Sequence, residues 1–258
     1  MPILSYLAMT AAEIRRIGIF PGKTAWMACH FSPYGTGLSC LPRTLPPDSL
    51  LMVDDITPIR GHDPQRIAAQ LAERAEALHC RSILLDFQRP DCPETAALVR
   101  YLCGALPCPV AVSSLYAGDV DAAVLLPPVP PSVPLEAHLA PWTGRELWLE
   151  LALDGEVITL TEDGARTTPL PYADIEGPGF AEDTLHCHYQ IELREDAARF
   201  TLWRTREDLK ALTEEADHFG ISCCIGLYQE LHDLAAKKPS PGGKVDSKAS
   251  GTGGLEDG

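Results

Sequence analysis

No stretch of this 258-residue chain approaches the ~18 consecutive apolar residues that a membrane-crossing helix needs. The N-terminus has no basic segment ahead of its apolar residues and no clear cleavage site. It runs from Met1 to Leu7 and then through Thr10 and Glu13-Ile14-Arg15-Arg16, so no secretory signal is expected. Basic residues are few: 21 Lys and Arg stand against 36 Asp and Glu, for a formal net charge of −15. Such a surface repels phosphate backbones and anionic lipid, so neither nucleic acid nor a membrane is an expected partner. There is no CxxC pair among the nine cysteines, and their number is odd. Cys29, Cys80, Cys103, Cys187, Cys223 and Cys224 lie in or beside apolar stretches. They read as core thiols in a reducing compartment, which makes the expected location cytoplasmic. No internal repeat is visible.

What is present is an alternation of short apolar runs and helical stretches. Strands are expected at 24–31, 50–54, 82–87, 110–114, 122–126 and 221–227, each about as long as a buried strand should be. Residues 147–153 and 156–161 flank Asp154-Gly155, a hairpin signal. A second hairpin is expected from 185–193 and 199–204. Asp63-Pro64 opens a helix to about residue 79, with Ile67, Leu71 and Leu78 on one face. Pro93-Glu94 opens another that ends near Leu102, before Gly104. Thr205 caps a third that stops at Gly220, and a last helix covers about 230–236. Residues 126–134 read as a proline-rich loop.

Strands alternating with helices imply a parallel sheet. The length suits a TIM-like (β/α)8-type barrel in one domain, 1–236, with a β-hairpin insertion before the last strand. Seven parallel-type strands can be counted, so either an eighth lies near the N-terminus or the strand set is incomplete. From Lys237 to Gly258 the chain is rich in Pro, Gly, Ser, Lys and Asp, a composition expected to remain a disordered tail.

Two stretches together resemble the family 18 glycoside hydrolases, the chitinase-like barrels. The first is His188-Tyr189-Gln190-Ile191-Glu192-Leu193, then Phe200-Thr201-Leu202-Trp203, a helix, and Phe219-Gly220-Ile221 through Ile225-Gly226-Leu227-Tyr228. It is similar to the end of those barrels, where a hairpin and a helix precede a last strand closed by an aromatic residue. That aromatic forms the floor of the family's sugar site, and Tyr228 stands at its position in place of Trp. The second stretch, Arg81-Ser82-Ile83-Leu84-Leu85-Asp86-Phe87-Gln88, aligns with the catalytic strand D-G-x-x-x-D-x-E. Asp86 survives, Arg81 replaces the first acid, and Gln88 replaces the catalytic Glu. The family's Met-x-Tyr-Asp is absent, with Leu126-Pro127-Pro128 in its place.

The resemblance implies a mechanism in which the Glu protonates the glycosidic oxygen, the substrate's N-acetyl group attacks, and the Asp orients it. A carboxamide has no acidic proton to give, and losing a general acid costs roughly 10²–10⁴-fold in rate. Gln88 therefore argues against ordinary chitinase activity, while its amide suits sugar hydroxyls. Asp86 would accept from hydroxyl or acetamide groups, and Tyr228 would stack on a sugar ring.

Other candidates stand near strand ends. Asp54-Asp55, with His62 close by, could bind a metal, do acid–base work or contact a substrate, although Asp63 is a plain helix cap. His30 and the segment Ser32-Pro33-Tyr34-Gly35-Thr36-Gly37 could line a pocket. That segment lacks G-x-G-x-x-G spacing and no Lys-Ser/Thr follows it, so no nucleotide cofactor is expected. His186-x-His188 has no evident third metal ligand, and no metal is expected. Glu230 could substitute for the missing Glu, but it also suits the first turn of a helix.

Three functions compete: a glycosidase-like barrel that binds a carbohydrate ligand without hydrolysing it, a hydrolase of altered chemistry using Asp54, Asp55, Asp86 or Glu230, and an interaction protein with no small-molecule site.

Overall fold

The structure is a computed structural model. It describes residues 4–235, apart from 18–22, 34, 36, 60, 91 and 119. Tyr34 and the segment expected to be a tail lie outside the described residues.

In chain order the elements begin with β1 (Leu4–Met9), α1 (Ala11–Arg16), β2 (Lys23–Phe31), β3 (Leu38–Ser39) and β4 (Leu50–Asp54). Next come α2 (Pro64–Ala77), β5 (Ser82–Asp86), α3 (Pro93–Ala105), β6 (Val110–Ser113) and β7 (Ala123–Leu126). Then follow α4 (Leu135–Leu139) and β8 (Leu147–Leu151). An antiparallel excursion follows: β9 (Asp154–Thr161), β10 (Gly164–Pro171), β11 (Phe180–Glu182), β12 (Cys187–Leu193) and β13 (Ala197–Trp203). The chain returns through α5 (Arg206–His218), β14 (Cys223–Leu227) and α6 (Tyr228–Ala235).

Eight of these strands are parallel and close into a ring in the order β1, β14, β8, β7, β6, β5, β4, β2, with β1 pairing β2 to complete it. β3 adds an antiparallel edge to β2. The fold is therefore a TIM-like barrel, and β1 is the further strand expected near the N-terminus. Tyr6 and Ala8 belong to the cluster that fills the lumen, while Leu7 and Met9 pack outward under the helices. Both faces are buried, so the polar alternation that marks a half-exposed strand is missing.

The helix starts follow local chemistry. The Asp63 carboxylate accepts from Gln65 N at 3.0 Å, with Pro64 in the first turn of α2. Thr205 and Asp208 form a reciprocal capping box on α5.

One expectation is corrected. Asp154-Gly155 is not a hairpin turn: β8 pairs with β7 and β14, and β9 pairs with β10 and β13. β8 is a barrel strand buried on both faces and needs a parallel neighbour on each side. The glycine is needed for close approach instead, since a Cβ there would stand 2.9 Å from Leu202 O and 3.2 Å from Leu170 O. The hairpin expected around 194–198 is present as β12 and β13, with His188 opposite Trp203 and Leu193 opposite Ala198. It sits inside a larger five-strand sheet ordered β10, β9, β13, β12, β11. Buried Arg204 ties that sheet to the barrel, donating to the carbonyls of Val129, Pro130, Leu185 and His186.

Candidate functional site

A barrel strand shows alternate side chains to the lumen, so the residue two places beyond an interior position reaches the mouth. Met52 and Leu84 are interior. Asp54 and Asp86 follow them by two, at the C-terminal ends of adjacent strands, and the register places them opposite one another. A cavity of about 350 Å³ opens there, lined by Met27, Met52, Asp54, Asp55, Ile56, Asp86, Gln88 and Arg89. This is the end of a barrel where ligand sites are built.

Each acid has a different partner. A bulge in β2 between Trp26 and Cys29 shifts the register, so that His30 faces Asp54. Without the extra residue Cys29 would stand there. His30 Nδ1 lies 2.6 Å from Asp54 Oδ2, and Asp54 Oδ1 accepts from Ile56 N at 3.1 Å. Asp55 is buried and accepts from the backbone N–H of Gln88 (2.9 Å) and of Arg89 (3.0 Å). Its carboxylate thus shapes the loop after β5. Arg89 is spent in the same brace, with Nε donating to Asp55 O at 2.7 Å and a terminal nitrogen donating to Ile56 O.

Gln88 is exposed, and its Nε2 donates to Asp86 Oδ1 at 2.5 Å. Burial pushes the Asp86 carboxyl above the usual range, the Gln88 amide opposes that, and Asp54 and Asp55 reinforce it. The amide stabilises the charged carboxylate, and the neighbouring carboxylates disfavour it.

The sequence reading missed Glu150. It sits on β8 two residues after interior Trp148, and so faces the lumen near the mouth. Burial, then Asp86, Glu230 and Asp154, push its carboxyl up to about 7. A lone acid in Leu147-Trp148-Leu149-Glu150-Leu151 was the available signal, obscured by the assignment of that run to a hairpin.

The structure brings Asp54, Asp55, Asp86 and Gln88 to one cavity and leaves the other described candidates outside it. Tyr228 follows lumen-facing Leu227 and packs in the outer cluster, its ring 5.2 Å from that of His232 on α6. Glu230 Oε2 accepts from Leu153 N at 2.9 Å, joining α6 to the end of β8. His62 packs edge-on against Phe31 with centroids 5.1 Å apart, and burial lowers its pKa. His186 and His188 turn to carboxylates of α5, Glu215 at 2.9 Å and Asp208 at 2.8 Å. Among the described residues no group of three or more His, Cys, Asp or Glu could hold a metal ion. No helix among them is long and apolar enough to cross a membrane.

No family model and no curated protein matches the sequence. Solved structures do match. The spore cortex-lytic enzyme SleL of Bacillus cereus is 13% identical with a TM-score of 0.52, over 87% of this chain and 70% of that one. A chitinase from Chromobacterium violaceum is 10% identical with a TM-score of 0.56, over 87% of this chain and 93% of that one. A family 18 chitinase from Cycas revoluta, solved with (GlcNAc)3, is 11% identical with a TM-score of 0.56, over 90% of this chain and 97% of that one. Identities this low speak for the fold alone, and the fold of this chain is that of the family 18 chitinase barrels.

Proposed function

We propose that this chain binds a carbohydrate in the mouth of its barrel and does not carry out the hydrolysis of family 18. The observation that carries the reading is the Gln88–Asp86 contact: a carboxamide, held by its own backbone N–H on Asp55, stands where the resemblance expects the proton donor. A carboxamide beside a carboxylate offers two N–H donors, a carbonyl and charged acceptors, which suits vicinal hydroxyls and acetamido groups. A Cycas revoluta chitinase carrying Gly→Trp and Glu→Gln substitutions was solved with (GlcNAc)4, which makes ligand retention by such a barrel a reasonable expectation. Nine free cysteines support the accompanying proposal of a reducing compartment.

Glu150 supports a second reading. An acid pushed up to about 7 is half protonated near neutral pH, as a general acid should be. In that case the chain is a hydrolase whose proton donor lies on β8.

Calorimetric titration with N-acetylglucosamine oligomers tests the first reading. Asp86→Ala should weaken binding by about 1–3 kcal/mol. A parallel turnover assay should show no useful hydrolysis by wild type. Turnover that vanishes in Glu150→Gln would establish the second reading, and absence of binding by wild type would defeat both.

A further inference from the structure

The opposite end of the barrel contains a second cavity, of about 410 Å³. That is within the range of small-molecule sites. Barrels of this type fill their lumen with layers of bulky branched side chains. Here the lining at the N-terminal ends of β5, β7 and β14 is Ser82, Ala123 and Cys223. Small side chains at these positions leave open a space that close packing would otherwise occupy.

Two opposite charges line this space. Arg81 immediately precedes β5 and Glu146 immediately precedes β8. Their strands lie three places apart in the ring of eight, so the two residues stand on nearly opposite sides of the lumen. Glu146 Oε1 accepts from Ser222 Oγ at 2.9 Å and from the Trp148 indole N–H at 3.4 Å. Those bonds hold the carboxylate at the cavity wall. Among the described residues no donor reaches its Oε2, and no acceptor takes an N–H of the Arg81 guanidinium. Trp148 and Tyr6 supply apolar wall between the two charges.

We propose that this cavity binds a small zwitterion of the α-amino-acid class. The ligand's carboxylate lies on the Arg81 fork, its ammonium on Glu146, and its side chain against Trp148 and Tyr6. The guanidinium suits a carboxylate because its paired N–H groups match the two oxygens. The lining carries one charge of each sign, with the Lys23 ammonium beside it 5.9 Å from the Tyr6 ring centroid, so it selects against ligands with only one: a simple anion leaves Glu146 unmatched, and a simple cation leaves Arg81 unmatched. The site is independent of the mouth, which shares none of its lining residues.

The test is calorimetric titration of the full chain with the standard α-amino acids, their amides and their N-acetyl derivatives. At least one free amino acid should bind. Its amide, which lacks the carboxylate, and its N-acetyl form, which lacks the ammonium, should each bind at least tenfold more weakly. Arg81→Ala and Glu146→Gln should each weaken binding at least tenfold. Ala123→Leu fills the space without touching either charge and should abolish binding. Asp86→Ala should leave it unchanged. No heat from any free amino acid, equal binding of the amide, or binding that survives Arg81→Ala overturns the proposal. Arg81 is solvent-exposed, so that variant folds and decides the matter even where Ala123→Leu does not fold.

Discussion

At the mouth of the barrel the titratable groups lining the cavity are Asp54, Asp55 and Asp86, with Arg89 already bonded to two carbonyls; at the other end one cation faces one anion. The same strands build both ends. β5 carries Arg81 just before its start and Asp86 at its finish, and β8 carries Glu146 before its start and Glu150 near its finish. Burial, reinforced by neighbouring carboxylates, raises the Asp86 carboxyl and pushes that of Glu150 up to about 7, so a proton is retained there toward neutral pH. The mouth is thus the end expected to respond to pH.

The largest effect should come from removing what separates the two ends. Leu84 is fully buried in the lumen, between Ser82 at the lower cavity and Asp86 at the upper one. Leu84→Ala deletes that plug and leaves a hole among side chains that cannot collapse into it. Urea denaturation should show a loss of roughly 2–5 kcal/mol with an unchanged m-value. A loss under about 0.5 kcal/mol would mean that the interior of β5 is not packed as described, and the contrast between two separate cavities would fail with it.

The next effect is electrostatic and confined to the mouth. Burial and the neighbouring acids push Glu150 from an ordinary 4.5 up to about 7. As pH rises, the unfolded chain loses this proton first, so the folded state loses stability between those values and does not recover it above them. Gln in place of Glu150 has no proton to lose. Glu150→Gln should match wild type near pH 4 and exceed it by an amount on the order of 2–3 kcal/mol near pH 8, read from denaturation midpoints at both values. An advantage of equal size at both would show that the gain is packing and not charge.

How far the sequence foretold these two ends follows from the kind of signal each residue carries. Caps and breakers act within a few residues, so Asp63-Pro64, Thr205 with Asp208, and Gly220 could be read directly. Asp86 and Gln88 were legible because they sit in a short stretch of known pattern. β1 was not, because a strand buried on both faces has no polar alternation to display. Glu150 was obscured by Asp154-Gly155, whose local preference for a turn yielded to the parallel partners of β8. Nothing local joins Arg81 to Glu146 or Asp54 to His30. The first pair lines one cavity only when the barrel closes, and the second meets only because a bulge shifts β2 by one place.

That one-residue logic also gives the smallest expected effect. A resemblance in sequence puts an aromatic floor at Tyr228, but which way a side chain points depends on its parity in the strand. Ile225 and Leu227 face the lumen, and Tyr228, the first residue of α6, packs against the outer cluster that includes Leu7, Leu151 and Leu231. Its ring meets His232 at 5.2 Å and does not line the cavity at the mouth. Tyr228→Ala should therefore leave the affinity for N-acetylglucosamine oligomers within about twofold of wild type, well under 1 kcal/mol. Asp86→Ala supplies the internal contrast, because its carboxylate does line the cavity. Tyr228→Ala should still lower the melting temperature, since an aromatic ring leaves a packed cluster. A tenfold loss of sugar binding in Tyr228→Ala with an unchanged melting temperature would reverse this assignment: the ligand would then extend from the mouth over the start of α6, and the mouth would be wider than its five polar residues define.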